Sequence, residues 1–317
     1  MKLHYAGYQP NASGFGWATC NNAMVREIGK HCELVSEGAD VVFMPLVNHD
    51  LAPATHARGK VNLAYTFFEF ELGANAVANA AKYDVVFAGS TWCLERLAER
   101  GIRNTALLVQ GVDSSVFSPQ APREKDGKFR IFSGGKFEWR KGQDLVTKAF
   151  CQFEKMHADA ELVCAWWNPW PELAHGAMRA AELTEQDFSG FTLLPRLGQH
   201  DLALEMANTD VGLFPNRCEG GTNLVMMEYA ALNRKVISNK MTGHADVSEI
   251  VTFEIQSKRD GMGWASSSIG QIVEAIEAAY IFRDAEFIGQ PKARTWEDAA
   301  QIVLQAASHA LKEKRGK

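Results

Sequence analysis

Two segments of the chain concentrate the residue types that can hold an anion and act on it. The first is Ser133-Gly134-Gly135-Lys136-Phe137-Glu138-Trp139-Arg140-Lys141-Gly142. Gly134 and Gly135 free the backbone to approach a ligand closely, while Lys136, Arg140 and Lys141 set three cations beside a predicted helix N-terminus. A diphosphate suits that arrangement; the alternative is a solvated basic turn. The spacing matches neither G-x-x-x-x-G-K-[ST] nor G-x-G-x-x-G, so it supports neither a P-loop nor a dinucleotide site. The second segment is Pro215-Asn216-Arg217-Cys218-Glu219-Gly220-Gly221-Thr222-Asn223-Leu224. A strand ends, a Gly-Gly loop follows, and Thr222 or Asn223 caps a helix. The amides of Gly221, Thr222, Asn223 and Leu224 would point into the crevice above the strand's carboxyl end, where open α/β sheets bind ligands. Glu219 precedes this helix and Glu228 lies about 9 Å along it. Both can face one ligand, or be a loop carboxylate and a helix-surface charge.

Those segments need strands to end beneath them, and the hydrophobic pattern supplies strands. Short β-branched runs alternate with helical periodicity throughout, the signature of an α/β protein with parallel sheets. Strands are predicted at 3–8, 40–46, 62–66, 84–89 and 105–110, and a second series at 130–133, 161–165, 192–195, 211–215, 235–238 and 251–255. Between the series lies a Gly-, Ser- and Pro-bearing stretch, 111–128, read as a linker with the boundary near residue 120. The expected domains are 1–120, 121–295, and a C-terminal helix, 296–317, that could pack back on the first. In the first domain the loop 11–16, with Gly14 and Gly16, could face a phosphate or acceptor, or be a tight turn. His49, Asp50, His56 and Glu69 stand near strand ends and could orient an acceptor hydroxyl, or simply be solvated. The cluster Trp166-Trp167-Asn168-Pro169-Trp170 could line a cleft or pack a core.

Composition narrows the classes. The chain has 317 residues, 46% of them hydrophobic, a formal charge of −5 and six scattered cysteines. Two domains with real cores fit that length. The negative balance argues against nucleic acid unless Arg26, Lys30, Arg58, Lys60 and Arg103 gather on one face. No C-x-x-C pair and no run of about 18 apolar residues occurs, so reduced thiols, a cytoplasmic location and no stable membrane insertion are expected.

The two segments together resemble the retaining GT-B glycosyltransferases of family GT4, glycosyl transferases group 1. There a G-R-L-x-x-x-K-G segment and a downstream E-x7-E segment form the donor site. Gly135-Lys136 stands where Gly-Arg stands and Lys141-Gly142 where Lys-Gly stands. Two departures are a Lys for Arg at 136, which keeps the charge and loses the bidentate fork, and eight residues instead of seven between Glu219 and Glu228. Weaker similarities run from Thr66-Phe67-Phe68-Glu69 through Gly111-Val112-Asp113 to Thr242-Gly243-His244.

The resemblance implies two Rossmann-like doubly wound domains facing across a cleft, with the nucleotide-sugar donor on the second. Lys136 and Lys141 would bind the diphosphate, Glu219 the transferred sugar, Glu228 the ribose, and the strand end at Pro195-Arg196-Leu197 would reach the base. The implied reaction is front-side, retaining transfer from a UDP- or GDP-sugar to a saccharide, small-molecule or modified-DNA hydroxyl. No D-x-D pair is present, and with cations in place no metal or other cofactor is expected. The alternatives are a phage-type transferase acting on hydroxymethyl-pyrimidine DNA bases, a non-catalytic nucleotide-sugar-binding protein of the same fold, and a GT-B epimerase.

Overall fold

The structure, a computed structural model, describes residues 1–7, 16–121 and 123–316. The chain forms two compact units: Met1–Asp113 with Gly220–Leu224 and Arg294–Lys317, and Ser114–Glu219 with Val225–Ala293. The division falls at Asp113, ahead of the boundary expected near residue 120, because Gly111 and Val112 are held inside the first unit. Val112 donates its N–H to the Arg294 carbonyl at 2.9 Å. A Cβ at Gly111 would lie 2.2 Å from the Thr295 carbonyl carbon.

In the first unit the elements are β1 (Lys2–Tyr5), α1 (Gly16–Gly29), β2 (Glu33–Leu34), β3 (Val41–Val47), β4 (Ala52–Pro53), β5 (Val61–Thr66), α2 (Ala76–Ala80), β6 (Val85–Ala88), α3 (Thr91–Glu99) and β7 (Thr105–Leu107). The sheet order is β2-β1-β3-β5-β6-β7, parallel along that path, with β4 antiparallel on β3. Strand β3 reads VVFMPLV and is buried up to its last residue, as a central parallel strand covered on both faces must be. The last helix of the chain, Trp296–Arg315, also belongs here. Thr295 caps it in a reciprocal capping box with Asp298. Its Trp296, Val303 and Ala307 join Leu3, Met24, Phe43 and Tyr65 in one core.

The second unit contains β8 (Phe129–Lys136), α4 (Gln143–Phe153), β9 (Ala160–Trp167), α5 (Pro171–Ala180), β10 (Thr192–Leu193), α6 (Gln199–Ala207), β11 (Val211–Phe214), α7 (Leu224–Ala231), β12 (Lys235–Ser238), β13 (Phe253–Glu254), β14 (Lys258–Arg259), β15 (Ala265–Ser266) and α8 (Ile269–Ile281); the helix closing the chain is α9. Its parallel sheet runs β10-β9-β8-β11-β12-β13, and β14 and β15 pair antiparallel apart from it. Counted within the unit this is the doubly wound order 3-2-1-4-5-6, whose direction reverses between β8 and β11. Ligands of such sheets bind beyond the carboxyl ends at the reversal. Both candidate segments begin there.

Candidate active site

The glycines of the first segment serve three different purposes. Gly134 has no room for a side chain: a Cβ would sit 2.8 Å from both the Phe132 ring and Val225. Gly135 has φ +125°, a conformation that glycine adopts at no steric cost. A single 3₁₀ turn, Trp139–Lys141, follows, and Gly142 at φ +73° redirects the chain into α4. Gly142 also admits the end of β11, since a Cβ there would be 2.6 Å from the Pro215 carbonyl oxygen. Beyond it the Arg140 carbonyl accepts from the amides of Arg217 at 2.8 Å and Cys218 at 3.2 Å. Turn and loop are thereby laid edge to edge.

At their junction stands Glu219, 3% exposed. Lys141 donates to its Oε1 at 2.6 Å, Arg140 to its Oε2 at 3.1 Å, and the Asn216 amide also donates to Oε1. The Glu219 backbone is fixed as well: its N–H donates to Thr242 Oγ1 at 3.1 Å and its carbonyl accepts from Gly243 at 2.9 Å. Thr242 adopts φ +52° to do this, a strained value for a β-branched residue. Glu138 completes the network, pairing with Lys136 at 2.5 Å and Arg140 at 2.9 Å. Three cations and two carboxylates thus share one network.

Burial by itself would raise the Glu219 carboxyl, but Lys141 and Arg140 overcome it and hold it down to about 2. Burial pulls the Lys141 ammonium below its ordinary range, against the attraction of Glu219. His244, buried nearby with Nδ1 2.8 Å from Ser238 Oγ, is pushed down to about 4 chiefly by burial and is neutral at pH 7.

Residues 128–280 match the family model described as Glycosyl transferases group 1. That match falls on the second unit and the 220–224 segment, just under half of the chain. Among solved structures the whole chain is similar to a sucrose-phosphate synthase from Thermosynechococcus elongatus, at 14% identity and TM-score 0.65, over 99% of this chain and 96% of that one. It is also similar to Anabaena HepE in complex with UDP and glucose, at 11% identity and TM-score 0.62, over 98% and 97%. A third is a UDP-forming trehalose-phosphate synthase from Burkholderia xenovorans, at 14% identity and TM-score 0.55, over 98% and 80%. These likenesses establish the fold, that of the GT-B glycosyltransferases with two Rossmann-like domains. No curated protein sequence matches the chain.

In the second unit Lys136, Arg140, Lys141 and Glu219 come together as one network. Glu228 is buried on α7 and accepts from Gln199 at 3.5 Å, a partner that the sequence did not suggest. Arg196 is exposed, its guanidinium 4.5 Å from the Trp167 ring centre, while the Lys136 ammonium is 5.1 Å from that of Trp170. Trp166 donates to Ser133 at 3.2 Å and packs on Phe137, Phe188 and Phe191. The tryptophan cluster is therefore divided between core and surface.

Gly220, Gly221, Thr222, Asn223 and Leu224 are counted with the first unit, and packing there explains the glycine pair. A Cβ on Gly220 would lie 2.1 Å from the Phe68 carbonyl oxygen, and one on Gly221 2.9 Å from Gln110 Oε1. Two amides of this segment are already engaged: Gly220 donates to Glu69 at 3.4 Å and Thr222 to Gln110 at 3.1 Å. Ser90 donates to the Gly220 carbonyl at 2.6 Å. Leu224 packs against the first unit's core.

Glu69 thus meets this loop, whereas His49 lies edge-on to the exposed Phe70 at 6.0 Å. Gly16 opens α1 in open space, and Gly14 lies outside the described residues. Of the basic residues that might have formed a polyanion face, Arg26 pairs with Glu27 and Asp113, Lys30 with Glu27, and Lys60 with Asp40. Arg58 lies over the Tyr83 ring. No helix among the described residues is long and apolar enough to cross a membrane. Sequence reasoning gave no role to Glu138, Asn216, Arg217 or Asp144, whose partners are fixed by the turn and loop geometry.

Proposed function

We propose that the chain is a retaining, metal-independent, cytoplasmic glycosyltransferase that moves a hexose or related sugar from a nucleoside diphosphate sugar, UDP- or GDP-linked, to an acceptor hydroxyl. The observation carrying this reading is the Lys141–Glu219–Arg140 cluster at the reversal point of a glycosyltransferase sheet. Its paired cations fit a leaving diphosphate, and Lys136 adds a third donor at the edge. As the sugar C1–O bond to the β-phosphate breaks, the acceptor oxygen bonds to C1 on the same face and its proton passes to the departing phosphate oxygen. Cations placed in advance at the oxygen that gains charge are the main accelerating factor, each worth about 100- to 1000-fold. They also supply the charge that a metal would supply.

Glu219 is unsuited to attack C1 itself. Held down to about 2 and engaged by three donors, its carboxylate is a weak nucleophile, which favours front-side transfer over a covalent glycosyl-enzyme. When the diphosphate draws Lys141 and Arg140 toward itself, the carboxylate is left to accept hydroxyls of the sugar.

Thermal stability measured against UDP, GDP, ADP, CDP and their sugar conjugates, with and without EDTA, tests this. A ligand at 100 times its Kd adds about 2.7 kcal/mol. One diphosphate should stabilise the protein in EDTA and stabilise Lys141→Ala much less at the same concentration. No response to any nucleotide would sink the donor site, and an inverted anomeric product would sink the retaining mechanism.

A further inference from the structure

Arg140 and Lys141 stand on a turn of three residues, too short to fix two long side chains by itself. What fixes it is Arg217, from the other loop. The Arg217 guanidinium donates to both Asp144 oxygens at 2.7 Å each and to the Trp139 carbonyl at 2.7 Å, and lies 3.7 Å from the Trp139 ring centre. The main chain reinforces this, since Arg217 N–H donates to the Arg140 carbonyl and its own carbonyl accepts from Ala265 at 2.7 Å. Asp144 sits in the first turn of α4, where the helix N-terminus favours a carboxylate. Arg217 therefore grips the residue before the cations, the residue at the helix start behind them and, through its backbone, one of the cation-bearing residues, while Glu219 follows it by two positions.

We propose that Arg217, locked by Asp144 and Trp139, is a positioning residue that sets the reach of Lys141 and Arg140 toward the donor diphosphate, acting through them without touching the ligand. This rests on the donor-site reading above. A planar fork is needed: a lysine's three donors sit on one nitrogen, which cannot span both Asp144 oxygens and the Trp139 carbonyl in this geometry, and it stacks less well on the indole.

The test is a double-mutant cycle on the full chain, with UDP and GDP as probes in calorimetry. Arg217→Met keeps the stem and removes the fork; Arg217→Lys and Asp144→Asn serve if it folds poorly. Arg217→Met should weaken binding of the preferred diphosphate by about 10-fold or more. In the Lys141→Ala background the same change should cost less than about 3-fold, although its effect on Tm is the same in both. A merely structural arginine would weaken binding equally in both backgrounds, and that result overturns the proposal.

Hydrogen exchange of the ligand-free protein supplies a readout independent of nucleotide. Arg217→Met should lose protection at 139–142 and 217–219 while β11, β12 and α8 keep theirs; unchanged exchange also overturns the proposal. Should the wild-type protein bind neither nucleotide, the donor reading fails and the exchange data alone decide the clamp.

Discussion

Replacing Glu219 by glutamine keeps the size of the side chain and removes its charge, leaving the partly buried Lys141 and Arg140 without their carboxylate. The cost can be worked in two ways. The carboxyl lies at about 2 in the folded protein against an ordinary 4.5; at 1.36 kcal/mol per pH unit the ionised form contributes roughly 3 kcal/mol. Breaking a buried pair by removing one partner costs about 3–5 kcal/mol. The figures agree, so Glu219→Gln should lower the unfolding free energy at pH 7 by about 3 kcal/mol. The sign with pH is fixed because the folded carboxyl is depressed: its contribution is whole above the unfolded value near 4.5 and lost as pH falls toward 2. Wild type and variant should therefore converge between those limits. Binding should respond in the opposite sense, with UDP or GDP held at least as tightly because the cations are released to the diphosphate, while sugar transfer falls. Urea unfolding from pH 7 to pH 2, with and without nucleotide, measures stability and binding, and a sugar-transfer assay measures the activity. A loss below about 1 kcal/mol at pH 7, a loss independent of pH, or weakened nucleotide binding would refute the reasoning.

His244 is buried neutral at about 4 against 6.5 when unfolded, so the wild type should lose roughly 3 kcal/mol as pH falls across that window, and His244→Gln should flatten the slope in denaturant titrations. Gly142→Ala should cost about 2 kcal/mol or more, from its left-handed φ and the clash with the Pro215 carbonyl, and should also weaken nucleotide binding. Gln110→Leu removes the buried acceptor of the Thr222 N–H and hydroxyl, both at 3.1 Å; calorimetry should show a loss of about 2–4 kcal/mol.

Strands of the two parallel sheets were legible because each carries its own signal: VVFMPLV and VNLAYT are buried along nearly their whole length, so hydrophobicity needs no partner to be read. Glu33–Leu34 and Ala52–Pro53, two residues each at sheet margins, have no period to detect. Residue type and spacing named Lys136, Arg140, Lys141 and Glu219 as candidates with solvated alternatives left open, the resemblance favoured them, and the structure brings the four together. Type and spacing could not show that Gly220 is a glycine because the backbone of Phe68 passes 2.1 Å from where a Cβ would be. Nor could they distinguish Arg217 from a solvated loop charge, since its partner Asp144 is 73 positions away. Contacts between distant segments are chosen by topology, and local patterns are silent about them.

The chain leaves the first unit at Asp113 and completes it only with Trp296–Arg315, and this imposes an order on synthesis. A nascent chain lacking α9 has no Trp296, Val303 or Ala307 to cover Met24, Phe43 and Tyr65. The second unit, contiguous but for five residues, is fully translated first. The second unit is therefore whole in the nascent chain before the first, whose core lacks its α9 contribution until the last residues emerge.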